Sequence, residues 1–112
     1  MLIIRVMAQI DDLDLPFRVV QVTERLGQLV NVARRSRRWT QADLAAKAGC
    51  SVSTVASAER GDPRLAMYLW LKVLWATGQL ERLDAALDPE LDAEGVKDLQ
   101  AQLPKRIRRS SA

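Results

Sequence analysis

Residues 39–63, WTQADLAAKAGCSVSTVASAERGDP, decide the fold. The stretch holds two short runs, each opened by a hydroxyl residue (Thr40, Ser51) and each closed by a glycine (Gly49, Gly61). A hydroxyl at a helix N-cap accepts a bond from an N–H that the first turn leaves unpaired. A glycine beyond the last turn takes the left-handed conformation that stops the helix. Asp43 stands three residues after Thr40, where a Glu or Gln usually completes a capping box. The stretch therefore predicts two short helices, with Leu44, Ala45 and Ala48 on the inner face of the first and Val55 and Ala58 on that of the second. Two helices that cross steeply need a small residue where they touch, a left-handed residue in the turn, and an apolar anchor beneath the second helix. Ala45, Gly49 and Val55 meet those needs in register.

Working outward, the segment from Glu24 has Leu26, Leu29, Val30 and Ala33 at helical spacing, and Thr23 is placed to cap it, so a helix is expected from there to about Ser36. Before it, FRVVQV (residues 17–22) is β-branched and reads as a strand, which alone would need the same strand of a second copy as its partner. Residues 1–10 read as a short strand or an arm. After GDPR, a fourth helix is expected from Ala66 or Met67 to Thr77, with Leu69, Trp70, Val73 and Leu74 inward and Gly78 as its stop. A fifth is expected from about Leu80 to Leu87, and a weak helical stretch near 93–102. Pro104 and the basic KRIRRSSA then read as a disordered tail. The class is all-α: a five-helix domain with an N-terminal strand or arm and a flexible basic C-terminal tail. Its three regions are an arm (1–22), a five-helix core (23–87), and an acidic segment with the basic tail (88–112).

Charge is unevenly placed. Five arginines (25, 34, 35, 37, 38) and no acid lie between Arg25 and Arg38, whereas residues 81–98 hold seven acids against Arg82 and Lys97. A basic block beside an acidic one suggests a polyanion-facing surface and a separate partner-facing one. The chain has no histidine, which removes the commonest general base and the usual zinc ligand. No nucleophile motif and no phosphate-binding glycine loop is present, so no catalytic residue, metal or cofactor is expected. The lone cysteine, Cys50, makes no internal disulfide and fits a reducing cytoplasm. The opening MLIIRVMAQIDD is too short and too early-charged for a membrane span.

With these features in register, WTQADLAAKAGCSVSTVASAERGDP resembles the lambda-repressor-like (Cro/C1, or XRE) helix-turn-helix family over about residues 23–87. The resemblance implies a second motif helix lying in the major groove with its first residues at the base edges. Carried over by position, Val52, Ser53, Ala56 and Ser57 would face bases. Gln41 and Ser51, with Thr40, Arg35, Arg37, Arg38 and Arg60, would meet phosphates. Arg34 and Glu59 occupy positions that form an ion pair between the first and third helices in related repressors. Trp39 is expected over the domain edge, and Trp70 and Trp75 in the core or a dimer contact. Two departures stand out. The reading positions lack the Gln, Asn or Arg that make bidentate base contacts, and Ala58 is small where the family places a large aliphatic.

From KVLWATGQLERLDAAL through LDPELDAEG to LPKRIRR, the chain also resembles HipB-like antitoxins. That resemblance implies a homodimeric, autoregulating repressor of a palindromic operator on double-stranded DNA that holds a HipA-type kinase toxin. The alternative is a protein-interaction adaptor that keeps the fold with little DNA reading.

Overall fold

The computed structural model describes residues 13–103, and these form six α-helices and no strand. The helices are α1 (Phe17–Ser36), α2 (Gln41–Ala48), α3 (Val52–Glu59), α4 (Met67–Ala76), α5 (Leu80–Ala86) and α6 (Ala93–Gln102), with a 3-10 turn at Pro89–Leu91. The expected arm at residues 1–10 and the basic tail lie outside the described residues. The chain divides into two compact units, one up to Leu80 and one from Glu81.

The first unit carries the core. Val20, Val30 and Ala33 of α1 are buried with Leu44, Ala45 and Ala48 of α2, Val55 and Ala58 of α3, and Trp70, Val73 and Leu74 of α4. Helix α3 packs against α1, α2 and α4. A helix of eight residues is too short to be stable alone, so those three contacts hold it. Thr77 is the one buried polar side chain among the described residues. Its hydroxyl donates back to the Val73 or Leu74 carbonyl, which removes the cost of burying it.

The strand expected at 17–22 is instead the first turn and a half of α1. Val20 is buried there with Leu15 packed against it, and Thr23 does not cap a helix start but donates its hydroxyl to the Val20 carbonyl within the helix. The physical reason is the backbone. A strand leaves its N–H and C=O groups unpaired unless a neighbour supplies partners, whereas a helix satisfies them from within. Placing Val20 on the same face as Gly27 and Val30 adds burial to that advantage.

One packing feature has no counterpart in the sequence reading. Gly27, in the middle of α1, lies so close to the end of α3 that a Cβ there would stand 2.7 Å from the Ala58 and Glu59 carbonyl oxygens and from the Gly61 nitrogen. A Cβ on Gly61 would in turn stand 2.5 Å from the Thr23 carbonyl oxygen. Backbone meets backbone at this crossing. Ala58, fully buried, is small for the same reason.

Four helices end alike, with a left-handed residue and a bond reaching back five residues. Gly49 (φ 71°), Gly61 (φ 70°) and Gly78 (φ 77°) stop α2, α3 and α4, and Cys50, Asp62 and Gln79 donate to Ala45, Ser57 and Leu74 respectively. Helix α1 uses Arg38 (φ 60°) in that role, with Trp39 donating to the Arg34 carbonyl.

The second unit is different in kind. Helix α6 is capped by Asp92, whose carboxylate accepts from the Gly95 nitrogen, and no residue of α6 is buried. No described helix is long and apolar enough to cross a membrane.

Candidate nucleic-acid interface

The site is built around α3. Ser51 caps it, its hydroxyl oxygen accepting from the Thr54 nitrogen at 3.0 Å and lying 2.9 Å from the Thr54 hydroxyl. Val55 and Ala58 point inward and are fully buried. That leaves Val52, 47% exposed, and Ser53 on the open first turn. Ala56 and Ser57 are half-buried further along. The exposed face is thus methyl and hydroxyl.

Helix α2 begins with a complete capping box. The Thr40 hydroxyl accepts from the Asp43 nitrogen at 3.0 Å, and the Asp43 carboxylate accepts from the Thr40 nitrogen at 2.8 Å. The backbone and hydroxyl bonds from Thr40 hold the Asp43 carboxyl below the usual aspartate range. A helix N-terminus capped this way keeps free N–H groups directed outward, the arrangement that favours a phosphate.

Glu59, at the end of α3, collects donors from two other helices. Its side chain is 7% exposed, and Arg34, 14% exposed, donates from Nε to Glu59 Oε2 at 2.5 Å and from Nη2 to Oε1 at 3.1 Å. Asn31 donates to Oε1 at 2.7 Å and Gln41 at 3.2 Å. Arg34 also donates from Nη1 to the Trp39 carbonyl at 2.8 Å, so the same guanidinium holds the turn before α2. Burial pushes the Glu59 carboxyl up, but the bonds from Arg34, Asn31 and Gln41 outweigh it and hold the group below its ordinary value. The hydrogen bond to Glu59 raises Arg34 in turn. The network ties α1, α2 and α3 together and fixes the axial position of the exposed helix.

The remaining basic residues divide by what they already touch. Arg35 and Arg38 are exposed on and just after the last turn of α1. Arg37 is turned onto the protein. Its Nη1 donates to the Ala33 carbonyl at 2.7 Å, its guanidinium lies 5.6 Å from the Trp39 ring centre, and Nη2 stands 3.4 Å from where a Cβ on Gly78 would be. Arg60 folds back along α3, Nη2 donating to the Ser57 hydroxyl at 3.1 Å. Gln41 has one amide N–H committed to Glu59. Trp70 is buried, Trp75 is exposed, and Trp39 is half-buried at the edge of the domain.

Three contributors escape a sequence reading. Asn31 donates to Glu59, and its only sequence signal is standing one turn before Arg34. Lys47 places its ammonium 4.8 Å from the Trp39 ring centre, a cation–π contact between α2 and the turn before it. Gly27 permits the α1–α3 crossing, and a glycine in mid-helix was the available signal. Cys50, half-buried, has its thiol pushed up by burial and is unsuited to act as a nucleophile. Among the described residues no acidic or cysteine cluster has the makings of a metal site.

Residues 32–73, from α1 to α4, match the family model described as Helix-turn-helix. No curated protein matches the chain, and no solved structure matches it.

Proposed function

Residues 32–73 form a helix-turn-helix domain of the Cro/C1 type, the DNA-binding fold of transcription regulators, and on that footing we propose that the protein is a dimeric, sequence-specific repressor of a palindromic operator. The observation that carries the reading is the setting of α3. It packs against α1, α2 and α4, yet its first turn, Val52 and Ser53, is left exposed just after the Ser51 cap. In this reading Val52, Ser53, Ala56 and Ser57 face the bases. Thr40, Gln41 and Ser51 meet phosphates at the two helix starts, and Arg35 and Arg38 meet them from the turn. Arg37 and Arg60, each with one guanidinium N–H committed within the protein, contribute their charge and their remaining donors. No residue is assigned a catalytic role and no cofactor is invoked.

A hydroxyl and a methyl discriminate bases less than a bidentate amide or guanidinium, which supplies about 1–3 kcal/mol per pair. One domain alone therefore reads weakly. A palindromic operator doubles that discrimination, which is why the proposal includes a homodimer. The acidic stretch at residues 81–98 is unsuited to DNA and supports a protein partner. With the HipB-like resemblance, that makes a HipA-type kinase toxin the proposed partner and autoregulating antitoxin the proposed role. Co-purification with the product of the neighbouring gene tests that part.

DNA reading is tested by selection from a randomised duplex library with wild type, Gln41→Ala, Ser53→Ala and Ser53→Gln. Gln41→Ala should weaken all sequences by similar factors, because phosphates carry no sequence information. Ser53→Gln should introduce a preference for adenine, whose major-groove edge matches the amide. The short side chains of α3 favour one rival, an adaptor that keeps the fold without reading bases. An unchanged selected sequence for every position 53 variant would establish that rival.

A further inference from the structure

Helix α4 (MYLWLKVLWA) is apolar on both sides, although only one side faces the core. Trp70, Val73 and Leu74 are buried, whereas Met67, Tyr68 and Trp75 are 69%, 64% and 61% exposed. At 100° per residue, Met67, Leu71, Trp75 and Tyr68 fall on one stripe about 100° wide that adjoins the core-facing one. We infer that this stripe of α4 is the surface through which a second copy of the chain binds, supplying the dimer that the proposed operator reading requires and on which this inference rests.

Charge and area select that occupant. A two-fold contact brings each patch against itself, so a patch bearing net charge repels its own image. The only charged residue of α4 is Lys72, and its ammonium is turned aside, donating to the Gly49 carbonyl at 2.8 Å. Elsewhere among the described residues of this unit, Phe17, Val19 and Val22 of α1 are exposed near Arg18 and Arg25, and Val32 near Arg35, cations that a second copy would set against each other. At roughly 200 Å² per large side chain, the exposed parts of Met67, Tyr68 and Trp75 amount to about 400 Å². A symmetric pair thus buries about 800 Å² from these three alone, and Leu71 and the flanks bring it to the roughly 1,000 Å² of a specific interface. Tryptophan and tyrosine near the centre of a patch are the residue types that carry most binding energy.

The test uses the full chain in sedimentation velocity across the micromolar range, with wild type, Trp75→Glu, Tyr68→Glu and Val22→Glu. Wild type and Val22→Glu are expected to dimerise alike, while Trp75→Glu and Tyr68→Glu raise the dissociation constant roughly 100-fold or more. Far-UV circular dichroism checks that each variant is folded, which the exposure of both side chains favours. A wild type that stays monomeric overturns the inference in favour of another occupant. So does a Trp75→Glu protein that is folded and dimerises as tightly as wild type. Binding to a selected duplex separates this result from the functional reading. Loss of the dimer in Trp75→Glu, with no DNA binding by any form, keeps the surface and removes the repressor. DNA binding with an unaffected dimer does the reverse.

Discussion

Replacing Glu59 with leucine should cost the domain about 3 kcal/mol, because one side chain accepts bonds from three residues on two other helices. Glu59 is nearly buried and Arg34 is only slightly more open. Removing one partner of a fully buried ion pair costs about 3–5 kcal/mol, and an exposed pair is worth only about 0.2–1 kcal/mol. Arg34 keeps some access to water, which places the loss at the lower end of the buried range. Asn31 and Gln41 also lose their acceptor, and the α3 terminus loses its tie to both neighbours. Arg34→Met should cost less, about 2 kcal/mol, because Asn31 and Gln41 still donate to the remaining carboxylate. The double variant, Arg34→Met with Glu59→Leu, should be less destabilised than the sum of the two by about 1–3 kcal/mol, since neither charge is then left unpaired. Urea unfolding followed by tryptophan fluorescence measures all four corners of the cycle. The reasoning is refuted if the two single losses simply add, or if Glu59→Leu costs under about 0.5 kcal/mol, the range of an ordinary surface change.

Three further outcomes follow from the same structure. The Glu59 carboxyl is held below its ordinary value of 4.5, so its stabilisation is present above that value and lost as pH falls through the lower folded one. Glu59→Gln should therefore flatten the acid side of the stability curve below pH 4.5, and the part that remains should fall further in Asp43→Asn, whose carboxyl is lowered in the same direction. Gly27→Ala sets a Cβ 2.7 Å from three backbone atoms that cannot rotate away, so it should cost at least about 2 kcal/mol in thermal or urea unfolding, against the gain of up to about 1 kcal/mol that alanine brings to an ordinary helix interior. Arg38→Gly relieves a left-handed residue and should raise stability by about 0.5–1 kcal/mol while lowering affinity for any duplex, which calorimetry and a salt titration of binding measure separately.

The helix-turn-helix itself was legible in the sequence because its signals are local. Thr40 and Ser51 as caps, Gly49 and Gly61 as stops, and the spacing of Leu44, Ala45, Ala48, Val55 and Ala58 are all fixed by bonds and contacts within a few residues. Helices at about 67–77 and 80–87 and the weak one at 93–102 were readable for the same reason. Residues 17–22 were not. Their β-branched composition favours a strand, and the burial of Val20 with Leu15 against it, with no strand among the described residues to pair with, goes with a helix instead. The stop at Arg38 was invisible as well, because no residue type announces a left-handed arginine; the backbone bonds from Arg38 and Trp39 impose it.

The sequence by itself determined the two capped helices, the uneven charge, and the short side chains on the exposed positions of α3. Tertiary structure alone decided what surrounds them. It brought Gly27 against Gly61, joined Asn31 and Gln41 to the Arg34–Glu59 pair, turned Arg37 and Arg60 back onto the protein, and split the tryptophans into a buried Trp70 and an exposed Trp75. The division has a physical cause. Caps, stops and periodicity depend on energies set within one or two turns of chain. Close backbone approach, shared acceptors and exposure depend on which distant segments meet, and that is settled only when the whole core packs.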